Sequence, residues 1–282
     1  MCNFAFEMNT IIDKERVRAL MEKYVAEYNV PEFADNDPVQ FARRFSNLPD
    51  REIASLLVST ISWGRRPMIL RNAEKLLGLL GGEPLRFVLE GDIETIPEDN
   101  IHRTFFGRHL KYYLRGLREL YHRYGTLENF ARSAGAHADG NAPAWVIAEK
   151  LGALLSDANV RACSRLDGPD RCLPSKPSTS ALKRLNMALR WLVRRDGIVD
   201  PGGWELFGPE RLYIPMDVHV CNTSASLGLL PCAPRTPDRK TAVALTETLR
   251  AFRPDDPTIY DFALFGIGVN GATISDFKGK VC

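Results

Sequence analysis

Apolar residues recur at spacings of three and four along almost the whole chain, and no stretch alternates convincingly. That pattern predicts helices in series, an all-α fold, with no internal repeat. After Pro49-Asp50, a start signal, Ile53, Leu56, Leu57 and Ile61 mark one helix. Beyond a break at Trp63-Gly64, Ile69, Ala73, Leu76, Leu77 and Leu80 mark a second that stops at Gly81-Gly82. Phe106, Leu110, Leu114, Leu117 and Tyr121 define a long helix ending near Gly125, and Trp145, Ala148, Leu151 and Leu155 define another. Leu182, Leu185, Leu189, Leu192 and Val193 follow, then Val243, Leu245, Leu249 and Phe252, then Ile259, Phe262, Ala263 and Phe265. Leu212 to Ile214 is the one short candidate for extended structure. Ala134 to Pro143 and Gly197 to Pro209 read as loops from their small residues, glycines and prolines.

Composition restricts what such a helical chain does. With 45% hydrophobic and 26% charged residues over 282 positions, it has enough apolar surface for one large domain or two modest lobes. Net charge is only +2, yet the charges are segregated. Arg171 to Arg195 holds seven basic residues and no acid, and Arg103 to Arg123 holds six against Glu119. The compensating acids lie in Glu83 to Asp99 and Asp196 to Glu210. Segregation of this kind makes a basic face for a polyanion, or simply two solvated helix faces. Cys2, Cys163, Cys172, Cys221, Cys232 and Cys282 form no C-x-x-C and fit neither a zinc site nor an iron–sulfur cluster. They read as reduced thiols, and no metal or cofactor is expected. Early acids interrupt any signal-like core, and no apolar run reaches membrane-spanning length. The expectation is a cytoplasmic monomer without membrane contact.

Two segments carry candidate chemistry. In Leu173 to Leu185, Ser178, Thr179 or Ser180 is placed to cap the helix that follows, leaving backbone N–H groups for an anion. Lys183 falls in the first turn, where the positive helix end disfavours an ammonium and favours a nucleophilic amine; otherwise it is a surface lysine. Lys183, Met187, Arg190 and Arg194 share one stripe opposite the leucines. In Leu212 to Val220, Asp217 stands two residues after Pro215 and reads as an N-cap, a role compatible with work beside a substrate.

Ile214-Pro215-Met216-Asp217-Val218-His219-Val220, followed by Leu227-Gly228-Leu229, resembles the V-D-T-H-V segment of the helix-hairpin-helix DNA glycosylase superfamily, whose aspartate is catalytic. Ala54 to Gly64 resembles that superfamily's early L-L-x-x-x-L-S-x-Q helix, and Lys183 stands where its members carry their lysine. A closer resemblance is to a bacterial family of unknown function within or beside the superfamily. It is carried by Lys183 to Trp191, Ile214 to Val220 and Tyr260 to Gly266, and spans about Asp37 to Gly268. Two features depart from the superfamily pattern. Ser175-Lys176-Pro177 replaces the glycine-rich hairpin, and Lys183 and Asp217 lie 34 residues apart because of the Gly197–Pro209 insertion. A similarly divergent hairpin and long gap occur in the archaeal 8-oxoguanine glycosylases.

The resemblance implies a two-lobed glycosylase-like fold. A central helical domain at 47–211 would carry the divergent hairpin, and 1–46 plus 212–282 would form a second helical domain. It implies base-excision repair of damaged duplex DNA, with a flipped-out base and oxidised purines among the candidate lesions. Lys183 and Asp217 would be catalytic in a bifunctional glycosylase/AP lyase. Arg65, Arg66, Lys176, Ser178, Arg184, Arg190 and His219 would contact nucleic acid, with Trp63 or Tyr213 against the base. A non-catalytic nucleic-acid-binding protein on the same scaffold is the alternative, and an enzyme of another type using the inter-lobe cleft is a third.

Overall fold

A computed structural model describes residues 14–162 and 172–271. Thirteen α-helices are found among them: α1 (Lys14–Tyr28), α2 (Pro31–Asp35), α3 (Val39–Arg43), α4 (Leu48–Thr60), α5 (Arg66–Gly78), α6 (Pro84–Glu90), α7 (Gly107–Tyr124), α8 (Leu127–Ser133), α9 (Pro143–Ala162), α10 (Lys183–Val193), α11 (Val218–Ser226), α12 (Arg239–Phe252) and α13 (Tyr260–Asn270). Four helix starts follow short polar caps. Asn47, Thr126, Asp217 and Asp238 each accept the N3 backbone N–H of α4, α8, α11 and α12. Gly125, at a φ of +74°, closes α7.

Leu212 to Ile214 is not a strand. The segment is buried coil in which the Ile214 N–H donates to Thr246 Oγ1 at 3.1 Å, so its backbone is satisfied by a side chain rather than a ladder. The extended structure lies instead in a small antiparallel hairpin, β1 (Asn100–His102) and β2 (Phe105–Phe106), too short to show alternation in sequence.

One continuous apolar core runs from Val17 to Ile267. α4 lies at its centre, with nearly every residue from Glu52 to Thr60 buried, and it packs against α10. α7 packs along α9, and the two ends of the described chain meet where α1 lies on α13. Gly266 permits that contact, because a Cβ there would stand 2.4 Å from the Tyr28 ring. α13 also packs on α11, so the helix that carries Asp217 at its start rests on the chain-end pair.

The Arg103–Arg123 run does not form an open basic face. Arg115 binds Glu94 at 2.7 Å and Asn159 at 3.1 Å, and Lys111 binds Glu98 at 2.6 Å. Arg118 donates to the carbonyls of Val88 and Gly91. Glu94 and Glu98 thus fold back onto α7 and neutralise part of the run, whereas Glu83 and Glu90 pair with Arg86, and Arg103, Arg108 and Arg123 stay exposed.

A carboxylate is sealed in the core. Glu52 on α4 accepts from the Leu127 N–H at 2.7 Å, the Glu128 N–H at 2.9 Å, the Tyr121 hydroxyl at 3.0 Å and Trp204 Nε1 at 2.8 Å. It thereby joins α4 to α7, to the start of α8 and to the 197–209 loop. Burial pushes its carboxyl up to about 7, against the four donors that hold it down.

Candidate functional site

α10 starts without a side-chain cap. Leu182, the N-cap residue, adopts φ 51° and ψ 38°, a left-handed conformation that costs a leucine about 1–2 kcal/mol. Buried contacts hold it there. Its carbonyl accepts the Asn186 N–H at 2.9 Å, while Asn186 Nδ2 donates to the Ala181 carbonyl at 3.0 Å. The Leu182 N–H donates to Ser180 Oγ at 3.2 Å, and Trp145 Nε1 donates to the Ser180 carbonyl at 2.9 Å. The expected serine or threonine cap is therefore absent. Ser178 and Thr179 sit in a separate 3₁₀ turn (Pro177–Thr179), and Ser180 braces the turn before the helix. This strained turn delivers Lys183 as the first helical residue.

Asp217 caps α11 with one oxygen and offers the other to the lysine. Its Oδ1 accepts the Val220 N–H at 2.9 Å, and its Oδ2 lies 2.9 Å from Lys183 Nζ. The two side chains remain 33% and 30% exposed, so the pair is partly open to solvent. Burial pushes the Asp217 carboxyl up, but the Lys183 ammonium, the Val220 amide and His219 outweigh it and hold it below the usual carboxylate range. The carboxylate is therefore anionic and oriented at neutral pH.

Lys183 and Asp217 line a cleft of about 440 Å³, a size typical of sites for small organic groups. Leu56, Tyr113, Met216 and Leu182 give it an apolar wall, and Ser59, Thr60, Ser62 and Thr104 contribute hydroxyls. Trp63 stands on the lining as well. The His102 ring meets it edge-on at 4.7 Å, and the Arg184 guanidinium lies over it at 5.5 Å. His102 Nε2 donates to the Trp63 carbonyl and Nδ1 accepts from Asn72 Nδ2, each at 2.9 Å; burial lowers its affinity for a second proton. Arg184 also donates to the Thr60 carbonyl at 2.9 Å. Gly64, at φ +101°, lets Arg103 cross beside Trp63, since a Cβ there would stand 2.7 Å from its guanidinium. Cys172 lines the cleft and binds the His109 carbonyl through sulfur at 3.3 Å. Cys221 is buried, and desolvation followed by repulsion from Asp217 pushes its thiol up to about 11. Cys2, Cys163 and Cys282, with Arg171, lie outside the described residues. Among the described residues no group of His, Cys, Asp or Glu could hold a metal ion, and no helix is long and apolar enough to cross a membrane.

The remaining expected contacts divide. Arg65, Lys176, Ser178 and His219 are exposed. Arg66 is half-buried, 3.3 Å from Asp37 and stacked over Phe265 at 4.5 Å. Tyr213 does not line the cleft; it meets Trp145 edge-on at 4.9 Å and takes Arg250 over its ring.

Arg190 is not available to phosphate. It is 3% exposed, is bound to Asp261, and has Nε 3.3 Å from Asp200 Oδ2, an ion pair without hydrogen-bond alignment. Arg194, 2% exposed, binds Asp200 at 2.5 Å, Asp256 at 2.8 Å and Asp196 at 3.1 Å. The stripe opposite the leucines is therefore a buried charge ladder. Its partners come from the loop after α10 and from the start of α13, which no helical periodicity reveals.

Asp261 is the residue that the sequence reading passes over. Burial pushes its carboxyl up to about 6; Arg190 opposes this, whereas Asp217 adds to it, so the ladder reaches electrostatically to the cleft. Its only sequence signal is its place within Tyr260 to Gly266. Glu52 and Asp261 both sit above their ordinary values when folded. Their contribution to stability is complete below about pH 4 and is lost as pH rises through 6 to 7. Asp217, held low, contributes the opposite way, and that contribution is lost on acidification below about pH 4. The melting temperature is therefore expected to fall between pH 5 and pH 8. Glu52→Gln should flatten that slope, and an unchanged slope in calorimetry would refute the assignment.

No curated protein and no solved structure matches the chain. The profile of one family, described as "Protein of unknown function (DUF2400)", matches residues 37–270, which contain the cleft, the lysine–aspartate pair and the charge ladder; the chain belongs to that family.

Proposed function

We propose that the protein binds damaged duplex DNA and excises a flipped-out base as a bifunctional glycosylase/AP lyase on a glycosylase-like, two-lobed scaffold. The observation that carries this reading is the 2.9 Å contact of Lys183 Nζ with Asp217 Oδ2 at an open cleft. The segments holding both residues are those that resemble the glycosylase superfamily.

In the proposed reaction the base departs with the electron pair of its glycosidic bond and is protonated on nitrogen. Positive charge developing on the sugar is stabilised by the Asp217 carboxylate, which the Val220 amide keeps aimed. The extra proton of Lys183 passes through Asp217 to the departing base, so the carboxylate is anionic again as charge develops, and the neutral amine attacks C1′ and forms a C–N bond. Ring opening breaks C1′–O4′, with O4′ taking the proton that the nitrogen gives up, and yields a Schiff base; loss of a C2′ proton to water then expels the 3′ phosphate with its bonding electron pair and cleaves the strand. Trp63, which lines the cleft with Arg184 over its ring, is the aromatic side chain proposed to meet the extruded base.

The cleft mouth suits a polyanion. Residues flanking the lining include Arg65, Arg103, Lys176, Arg235 and Arg239, against Asp238 as acid. A backbone bridge between Ser180 and Asp238 sets the 235–239 segment beside the 175–180 turn. Lys176→Ala and Arg235→Ala should each reduce the slope of log affinity against log salt by about 1, as loss of one phosphate contact does. Unchanged slopes in fluorescence titrations would place the duplex elsewhere.

The deciding experiment is borohydride trapping on duplexes carrying a panel of oxidised, deaminated and alkylated bases and abasic sites. A covalent adduct mapped to Lys183 supports the enzyme. Salt-sensitive binding with no adduct on any substrate supports the alternative, a non-catalytic nucleic-acid-binding protein on the same scaffold.

A further inference from the structure

Lys183 is the first residue of a stripe whose later members are locked. Arg190 and Arg194 lie seven and eleven residues on, about two and three helical turns, and therefore on the same face of α10. Both guanidiniums are buried. Arg194 is bound to the loop after α10 through Asp196 and Asp200, and to Asp256 before α13. Arg190 reaches Asp261 in the first turn of α13 and stacks on Phe262 at 4.6 Å. α13 in turn packs on α11, whose N-cap is Asp217. One buried ion pair thus links the lysine helix to α13, the helix on which the aspartate helix rests.

We propose that Asp261 is a positioning residue for the Lys183–Asp217 pair, acting through Arg190. The proposal rests on the reading of that pair as the working site, but it concerns the pair's geometry and can be tested without DNA. Structural adhesion alone explains a buried ion pair poorly, since such pairs contribute little net stability over a well-packed apolar replacement. What this pair does supply is register, with a second anion held behind the cleft. The charged groups facing Asp261 are Arg190 from α10, Asp217 and Lys183 from the cleft side, and Asp37 from the turn before α3, with Arg66 as that residue's partner. From α1, Glu22 is tied up by Arg253 and the neighbouring Tyr260 hydroxyl.

The test is reductive methylation of the full-length protein with formaldehyde and cyanoborohydride, following Lys183 by peptide mass spectrometry as a function of pH. Removing an anion near an amine raises its neutral fraction. Asp217→Asn should therefore move the Lys183 methylation profile to lower pH, and Asp261→Asn should move it the same way by about 0.5. Asp261→Glu should restore the original profile, and Arg190→Lys, which keeps the cation but loses the guanidinium contact, should reproduce the shift. These two variants keep the question answerable if Asp261→Asn folds poorly. If the Asp261→Asn or Arg190→Lys profile superimposes on that of the parent protein while Asp217→Asn shifts, the proposal is overturned, and Asp261 is a packing residue only. Failure of the glycosylase reading looks different: no DNA adduct forms in the parent protein, yet the methylation profiles still respond to Asp261.

Discussion

Lys183→Ala is expected to abolish the borohydride-stable adduct with lesion-bearing DNA, while binding of the same duplex weakens by no more than about tenfold. The asymmetry follows from the site. Lys183 is the amine at the cleft's carboxylate, whereas in the proposed complex duplex affinity would be spread over the several cations flanking the lining. Asp217→Asn should slow base release by about 10²–10³, the effect of removing one oriented charge from a developing cation. It should leave the fold intact, because an asparagine keeps the cap on the Val220 amide. Single-turnover gels with the best substrate of the panel give both numbers. An adduct that survives in Lys183→Ala would show that another amine is the nucleophile and would sink the assignment.

The second large effect concerns stability. Glu52→Ala would leave two backbone amides, a phenol and an indole N–H without their acceptor in the core. The phenol can fall back on the Pro49 carbonyl at 3.4 Å, which leaves three donors unsatisfied; at about 1 kcal/mol or more for each, the loss is at least ~3 kcal/mol. Using about 2–4 °C per kcal/mol for a chain of this size, the melting temperature should drop by roughly 6–12 °C. The drop should carry function with it, since the same carboxylate fixes α4, which supplies Leu56, Ser59 and Thr60 to the cleft. A shift of less than a few degrees would mean that water or a rearranged loop satisfies those groups.

The legible part of this protein is what local chemistry controls. Apolar spacing marks α4, α5, α7, α9, α10, α12 and α13 because each must bury one face whatever its neighbours are. Asp217 reads as a cap two residues after a proline because capping is decided within four residues, and it is the cap of α11. The start of α10 at Lys183 is legible, but the way the chain enters it is not. A left-handed Leu182 is unfavourable locally and persists only because Asn186, Ser180 and Trp145 hold the turn from outside it. Arg190 misleads for a related reason. A polar stripe looks solvent-facing until the acids that bury it arrive from Asp200 and Asp261, ten and 71 residues away.

From its sequence alone the chain determined that it is helical, where eight of the thirteen described helices lie, and which lysine and aspartate merit attention. Those properties depend on hydrogen bonds and burial patterns within a turn or two. Tertiary structure decided that Lys183 Nζ and Asp217 Oδ2 stand 2.9 Å apart, and that one basic stripe is core rather than surface. It also placed a second carboxylate, Asp261, behind the pair. Distances between residues tens of positions apart depend on how α10, α11 and α13 pack, and Coulomb interactions follow those distances, not the order of residues along the chain.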